Sequence, residues 1–140
     1  MISLTGDCLL VFSIATSILA IFTKRSIKAY IFWISSLAVI TAFLLLILAF
    51  ITSDFSVKNV FLNSSTIKPL IYKIAGSWAS HEGSMLLYVS MLSFISSLYT
   101  KVVNYQGNTR NVQITILAFI QILFLFFIYS FLMIFIFLMP

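Results

Sequence analysis

Three consecutive residues, Ser80-His81-Glu82, carry the vocabulary of proton transfer, and His81 is the only histidine in the chain. Trp78 stands just before them, and Gly83 and Ser84 just after. Adjacency argues against a nucleophile–base relay. Successive helical residues point about 100° apart, so Ser80, His81 and Glu82 cannot line up as acyl transfer requires. On one continuous helix, Trp78 shares a face with His81 and Glu82, and His81 shares one with Ser84 and Met85. A lone histidine holds no zinc without ligands from elsewhere. It can be an axial ligand to haem, or hydrogen-bond a haem propionate or a quinone oxygen. Met85 cannot complete the same iron, because both side chains leave one helix in the same direction while axial ligands approach from opposite faces. A second ligand would come from another chain.

Each residue also has a plainer reading. His81 can be an interfacial histidine bonded to a backbone carbonyl or a lipid headgroup. Glu82 can be a first-turn acid that complements the helix dipole, and Trp78 an interface anchor. The single Cys8 excludes an internal disulfide, a multi-cysteine zinc site and CxxCH haem attachment; it reads as a small apolar packing residue.

The elements that must position these residues are set by composition. Hydrophobic residues make up 62% of the 140 and charged residues 8%, with a mean hydropathy of +1.18. A soluble domain needs roughly a quarter of its residues charged. Here the charges sit in short breaks between long apolar runs, so the expected fold is all-α: a polytopic helical membrane protein with about four transmembrane helices. The net charge of +5 is no nucleic-acid signal, because the basic residues mark run ends rather than one folded face.

The expected helices cover about residues 2–22, 29–51, 80–100 and 112–139, in a single membrane domain over 1–140. The first carries Asp7 before its apolar core and Lys24, Arg25 and Lys28 after it, the reverse of a signal peptide, and so reads as a retained helix. Tyr30 and Trp33 open the second at interface depth. Ser35 and Ser36 inside it can bond back one turn or to a neighbouring helix. Gln121 in the last span reads as an interhelical hydrogen-bonding residue.

Between the second and third spans, Ser53 to Ser65 shows no helical stripe and reads as an irregular or short extended piece. From Pro69 to Trp78 the pattern changes: Pro suits a first helical position, and Leu70, Ile71, Ile74, Ala75 and Trp78 recur at helical spacing with Lys73 opposite. That is an amphipathic interfacial helix. Ser80 is an acceptable cap for the third span. The breaks after spans one and three hold Lys24, Arg25, Lys28, Lys101 and Arg110 with no acid, whereas the break after span two holds Lys58, Lys68 and Lys73 with Asp54 and Glu82. The positive-inside rule then puts both termini and the central segment outside.

The runs SDFSVKNVFLNSS, KPLIYKIAGSW and HEGSMLLY resemble the N-terminal region of the CcmF/NrfE-type cytochrome c maturation haem lyases, with the resemblance read along essentially the whole chain. Ala79 stands where that family usually has Gly, and Tyr88 where it usually has Trp. Family members are several times longer and carry a tryptophan-rich WWD segment and further histidines, so the chain looks like one piece of a split protein or a truncated reading frame.

The resemblance implies a role in cytochrome c-type biogenesis. Haem from a CcmE-type chaperone is attached outside the membrane to apocytochrome c by an assembly that includes the remainder of CcmF and a CcmH-type protein. Haem would be the cofactor, membrane lipid the surroundings, and a bacterial or mitochondrial inner membrane the location. Trp78, His81, Glu82, Gly83 and Ser84 match the family motif, and they are the candidates for a haem-handling surface: Gly83 for close backbone approach, His81 or Glu82 for a polar contact. No catalytic residue is expected in this piece alone. Two other readings stay open: a structural membrane scaffold, and an inactive truncated remnant.

Overall fold

Apolar runs of this length satisfy their backbone polar groups internally only as helices, and every regular element of the computed structural model among its described residues, 2–24, 27–102 and 108–137, is a helix. Six helices follow in order: α1 (Ile2–Phe22), α2 (Lys28–Thr52), α3 (Lys58–Asn63), α4 (Leu70–Ala79), α5 (His81–Val102) and α6 (Asn108–Phe137). Four of them, α1, α2, α5 and α6, are long and apolar enough to cross a membrane. Arg25 and residues 103–107, which entered the charge argument and the polar connection, lie outside the described residues. So do Pro140 and the end of the last expected span, 138–139.

The four long helices alternate in direction and close a ring: α1 packs on α2 and α6, α5 packs on α2 and α6, and α2 also meets α6 across the middle. Two apolar layers fill it. One joins Val39 and Phe43 of α2 to Leu86 and Val89 of α5 and Leu125 and Ile128 of α6. The other joins Ala20, Phe32, Ile114 and Ala118. Large side chains such as Leu37, Leu44, Ile95 and Phe126 point outward instead, as lipid permits and water would not.

Much of what faces inward is small and polar. Ser13, Ser17, Ser35, Ser36, Ser90, Ser93, Ser96 and Gln121 are all buried, which lets membrane helices approach closely. Ser35 is the hub. Its Oγ lies 2.9 Å from the Ser13 Oγ and 2.6 Å from the Ser17 Oγ, and the Gln121 amide donates to it at 2.9 Å. Three helices are thereby tied through one hydroxyl. Gln121 thus takes the interhelical role expected of it, and Ser35 bonds across to α1 rather than to its own helix. The Ser36 Oγ has no partner among the described residues. At one end of the bundle the Trp33 indole N–H donates to the Thr100 Oγ1 at 2.9 Å, joining α2 to α5. Cys8 is exposed on α1 and does not pack inside the bundle as its type suggested.

The central segment corrects one expectation. Residues 58–63 are not irregular or extended but form α3, because Val60 buries itself against Ala49 and Phe50 of α2. A helix of six residues is too short to display a period, so tertiary packing decided what pattern could not. Pro69 sits at the N-cap of α4 with φ −57°, one position earlier than expected. The stripe of α4 lies in part as read: Leu70, Ile71 and Trp78 are exposed, but Ile74 and Ala75 are half-buried, and Gly76 and Ser77 face the bundle. Lys73 turns inward and donates to the Ser53 Oγ at 2.7 Å.

Candidate functional site

Ser80 breaks the chain between α4 and α5 with an extended backbone (φ −84°, ψ 159°). Its Oγ accepts the Gly83 N–H at 3.0 Å and its carbonyl accepts the Ser84 N–H at 2.9 Å, which caps α5 as expected. Gly83 does permit close backbone approach, and the backbone it meets is this chain's own: a β-carbon there would overlap the Ser77 carbonyl. Because α4 ends at Ala79, Trp78 and His81 belong to different helices. The shared helical face assigned to Trp78, His81 and Glu82 is therefore not formed.

His81 is exposed at the start of α5 and borders a shallow cleft with Glu82, Met85, Phe127 and Ile128. The expected His81–Met85 neighbourhood is thus present. Ser84 is also exposed, and its hydroxyl donates to the His81 carbonyl at 2.9 Å. Trp78 is 41% exposed and lines neither this cleft nor the cavity beside it. One turn further on, the rings of Tyr88 and Phe124 stack with centroids 6.5 Å apart.

Glu82 is half-buried and also borders a larger cavity of about 190 Å³. Leu10, Ala42, Leu46, Leu86 and Ile128 form apolar walls, and Asp7, Lys58, Asn59 and Glu82 supply the polar groups. Two of the chain's three acids therefore converge on one space from α1 and α5. Sequence reasoning missed Asp7, Lys58 and Asn59; the rarity of acids in this chain was the available signal. Small-molecule pockets run to about 300–1,000 Å³, so a haem does not fit inside this cavity. Among the described residues no group of three or more His, Cys, Asp or Glu side chains could hold a metal ion. At the same end of the bundle, after α2, hydrogen bonds from the Ser56 side chain and backbone N–H hold the Asp54 carboxyl below the usual carboxylate range.

This arrangement defines a multi-pass helical membrane protein whose three acids gather at one end, around a sharp α4–α5 corner. About 60 of its residues are homologous to cytochrome c-type biogenesis proteins of the CcmF, CycK and NrfE kind. The chain is 56% identical over 62 residues to the cytochrome c-type biogenesis protein CycK of Rhizobium meliloti, covering 44% of this chain and 9% of that protein. It is 44% identical over 61 residues to CcmF of Escherichia coli, covering 44% and 9%. It is 37% identical over 73 residues to the probable cytochrome c-type biogenesis protein NrfE of Escherichia coli, covering 47% and 13%. The chain thus spans roughly a tenth of the length of these relatives. The match occupies less than half of this chain rather than essentially all of it, which corrects the reach of the resemblance. No family model matches the chain. No solved structure matches it either.

Proposed function

We propose that this chain serves cytochrome c-type biogenesis as the N-terminal membrane portion of a CcmF-type haem lyase assembly, with the α4–α5 corner on the outer side of a bacterial or mitochondrial inner membrane. The observation that carries this reading is the homology of about 60 residues to CcmF, CycK and NrfE. The accompanying geometry suits a surface role. Exposed His81, half-buried Glu82 and exposed Ser84 sit at the start of α5, where a haem-loaded partner could dock without entering the bundle. Gly83 holds the corner in shape, and Trp78 anchors α4 at the interface.

In this reading the chain's own residues position and present; the bond-forming chemistry belongs to haem, the apocytochrome thiols and the remainder of the assembly. The partners are the remaining CcmF-type portion with its WWD segment, CcmE- and CcmH-type proteins, and apocytochrome c. The test is to express Trp78→Ala, His81→Ala and Glu82→Ala variants beside the rest of the assembly and to measure holocytochrome c. Reduced yield from His81→Ala or Glu82→Ala at normal chain levels supports the reading. Wild-type yield from all three removes the corner from the function and leaves a structural scaffold.

A further inference from the structure

The cavity that Glu82 borders holds more polarity than packing explains. Asp7 enters it from α1 and Glu82 from α5, helices on opposite sides of the ring. Glu82 opens its helix, where the dipole favours an acid. Asp7 has no such reason to be there, since it is the sixth residue of α1, past the first turn. Acids within a spanning helix are costly, and those that face the bundle interior mark a ligand or a polar path. Lys58 is the one cation on this wall and can offset only one of the two carboxylates.

A second observation comes from Asn59, which lines the same cavity and is only 7% exposed. Its Oδ1 accepts from the Asn63 Nδ2 at 2.8 Å, so its own Nδ2 hydrogens are left without an acceptor among the described residues. A buried amide in that state is costly unless something completes it. The rest of the wall is aliphatic. Leu10 and Leu86 stand about one turn further into the bundle than Asp7 and Glu82 on the same helices, so the cavity is polar at its outer end and apolar at its inner end. At about 190 Å³ it exceeds the roughly 150 Å³ apolar cavity that takes up benzene. It has room for one ring, or a branched chain of similar bulk, with a short polar arm.

We propose that this cavity binds a small organic cation. Its ammonium group is balanced by the carboxylates of Asp7 and Glu82, an adjoining hydroxyl or carbonyl oxygen accepts from the Asn59 amide, and its apolar body fills the aliphatic inner end. An inorganic cation would leave the aliphatic wall unused, and an anion would meet two carboxylates. Asp7 is exposed, Glu82 half-buried and Asn59 buried, so the ligand enters past Asp7. The proposal goes beyond the role given to the α4–α5 corner, and binding is read on this chain alone, whatever happens to holocytochrome c.

The test is isothermal titration calorimetry of the full chain in detergent at neutral pH, corrected for empty micelles. The probes are phenethylamine, its hydroxylated form phenylethanolamine, and the anion hydrocinnamate. Wild type should bind both amines but not hydrocinnamate, with phenylethanolamine about threefold the tighter. Asp7→Asn and Glu82→Gln should each weaken amine binding by about tenfold, and Asn59→Ala should erase only the preference for the hydroxylated amine. Gly6→Leu should abolish binding. Gly6 shares a helix face with Leu10 on the cavity wall, a β-carbon there meets nothing within 4 Å, and leucine favours the helix, so the side chain fills the cavity while the fold stands. Lys73→Gln, outside the cavity, should change nothing. Equal binding of hydrocinnamate and the amines, or amine binding undiminished in Gly6→Leu or in the Asp7→Asn, Glu82→Gln double variant, would overturn the proposal. Should the acid variants fail to fold, Gly6→Leu and the wild-type contrast between amine and anion decide it.

Discussion

A β-carbon on Gly83 would occupy the position of the Ser77 carbonyl oxygen, so these two residues fix the corner between α4 and α5. No rotamer change relieves that contact, because the obstacle is backbone. Gly83→Ala is expected to destabilise the chain by about 3 kcal/mol, the upper part of the usual overpacking range. Unfolding in mixed micelles checks it. Ser84→Ala, which loses only an exposed bond to the His81 carbonyl, should change stability by about 0.5 kcal/mol or less.

The serine hub predicts an asymmetry. Ser35→Ala removes the nearer of the two acceptors of the buried Gln121 amide, leaving the Ser13 Oγ at 3.3 Å, and removes the hydroxyl partner of Ser17; it should cost about 1–2 kcal/mol. Gln121→Leu removes the amide together with its own needs and leaves three hydroxyls with each other and nearby carbonyls. It should cost less. A larger loss from Gln121→Leu than from Ser35→Ala, measured by the same unfolding assay, would contradict the role of Ser35 as the hub.

Asp54 gives a pH expectation. Its carboxyl is held low in the fold by Ser56, so the stability it adds is present above the unfolded value of about 3.9 and is lost as pH falls through the lower folded value. Asp54 is half-buried, but its carboxyl lies beyond the end of α2 and reaches water, so solvent screens the effect and the change is small. The melting temperature of wild type should therefore fall more steeply than that of Asp54→Asn below about pH 4, with parallel curves from pH 5 to 8.

Topology is testable without any assumption about haem. A reporter active only outside the cytosol should work when fused after Ser64 and fail when fused after Val102. The reverse pattern would put the α4–α5 corner on the wrong side for cytochrome c assembly.

The four spans were legible because lipid demands long apolar helices and the breaks between them carry nearly all the charge. The start of α5 was legible too, since Ser80 caps and Glu82 suits a first turn. What stayed hidden depends on contacts between distant segments. Ser13 and Ser17 look like any serine in an apolar helix until α2 brings Ser35 against them. Helix α3 forms because Val60 finds Phe50, and a cavity built from α1, α2, α3, α5 and α6 has no local signature. The family motif marked Trp78 to Ser84 as a unit, whereas the fold divides it at Ser80 into the end of α4 and the start of α5.

The account stands most directly on whether cells need this chain to attach haem to c-type cytochromes. Depleting it and staining membranes for covalently bound haem should show loss of holocytochrome c, restored by re-expression of the wild-type chain. Undiminished holocytochrome c after verified depletion would contradict the account.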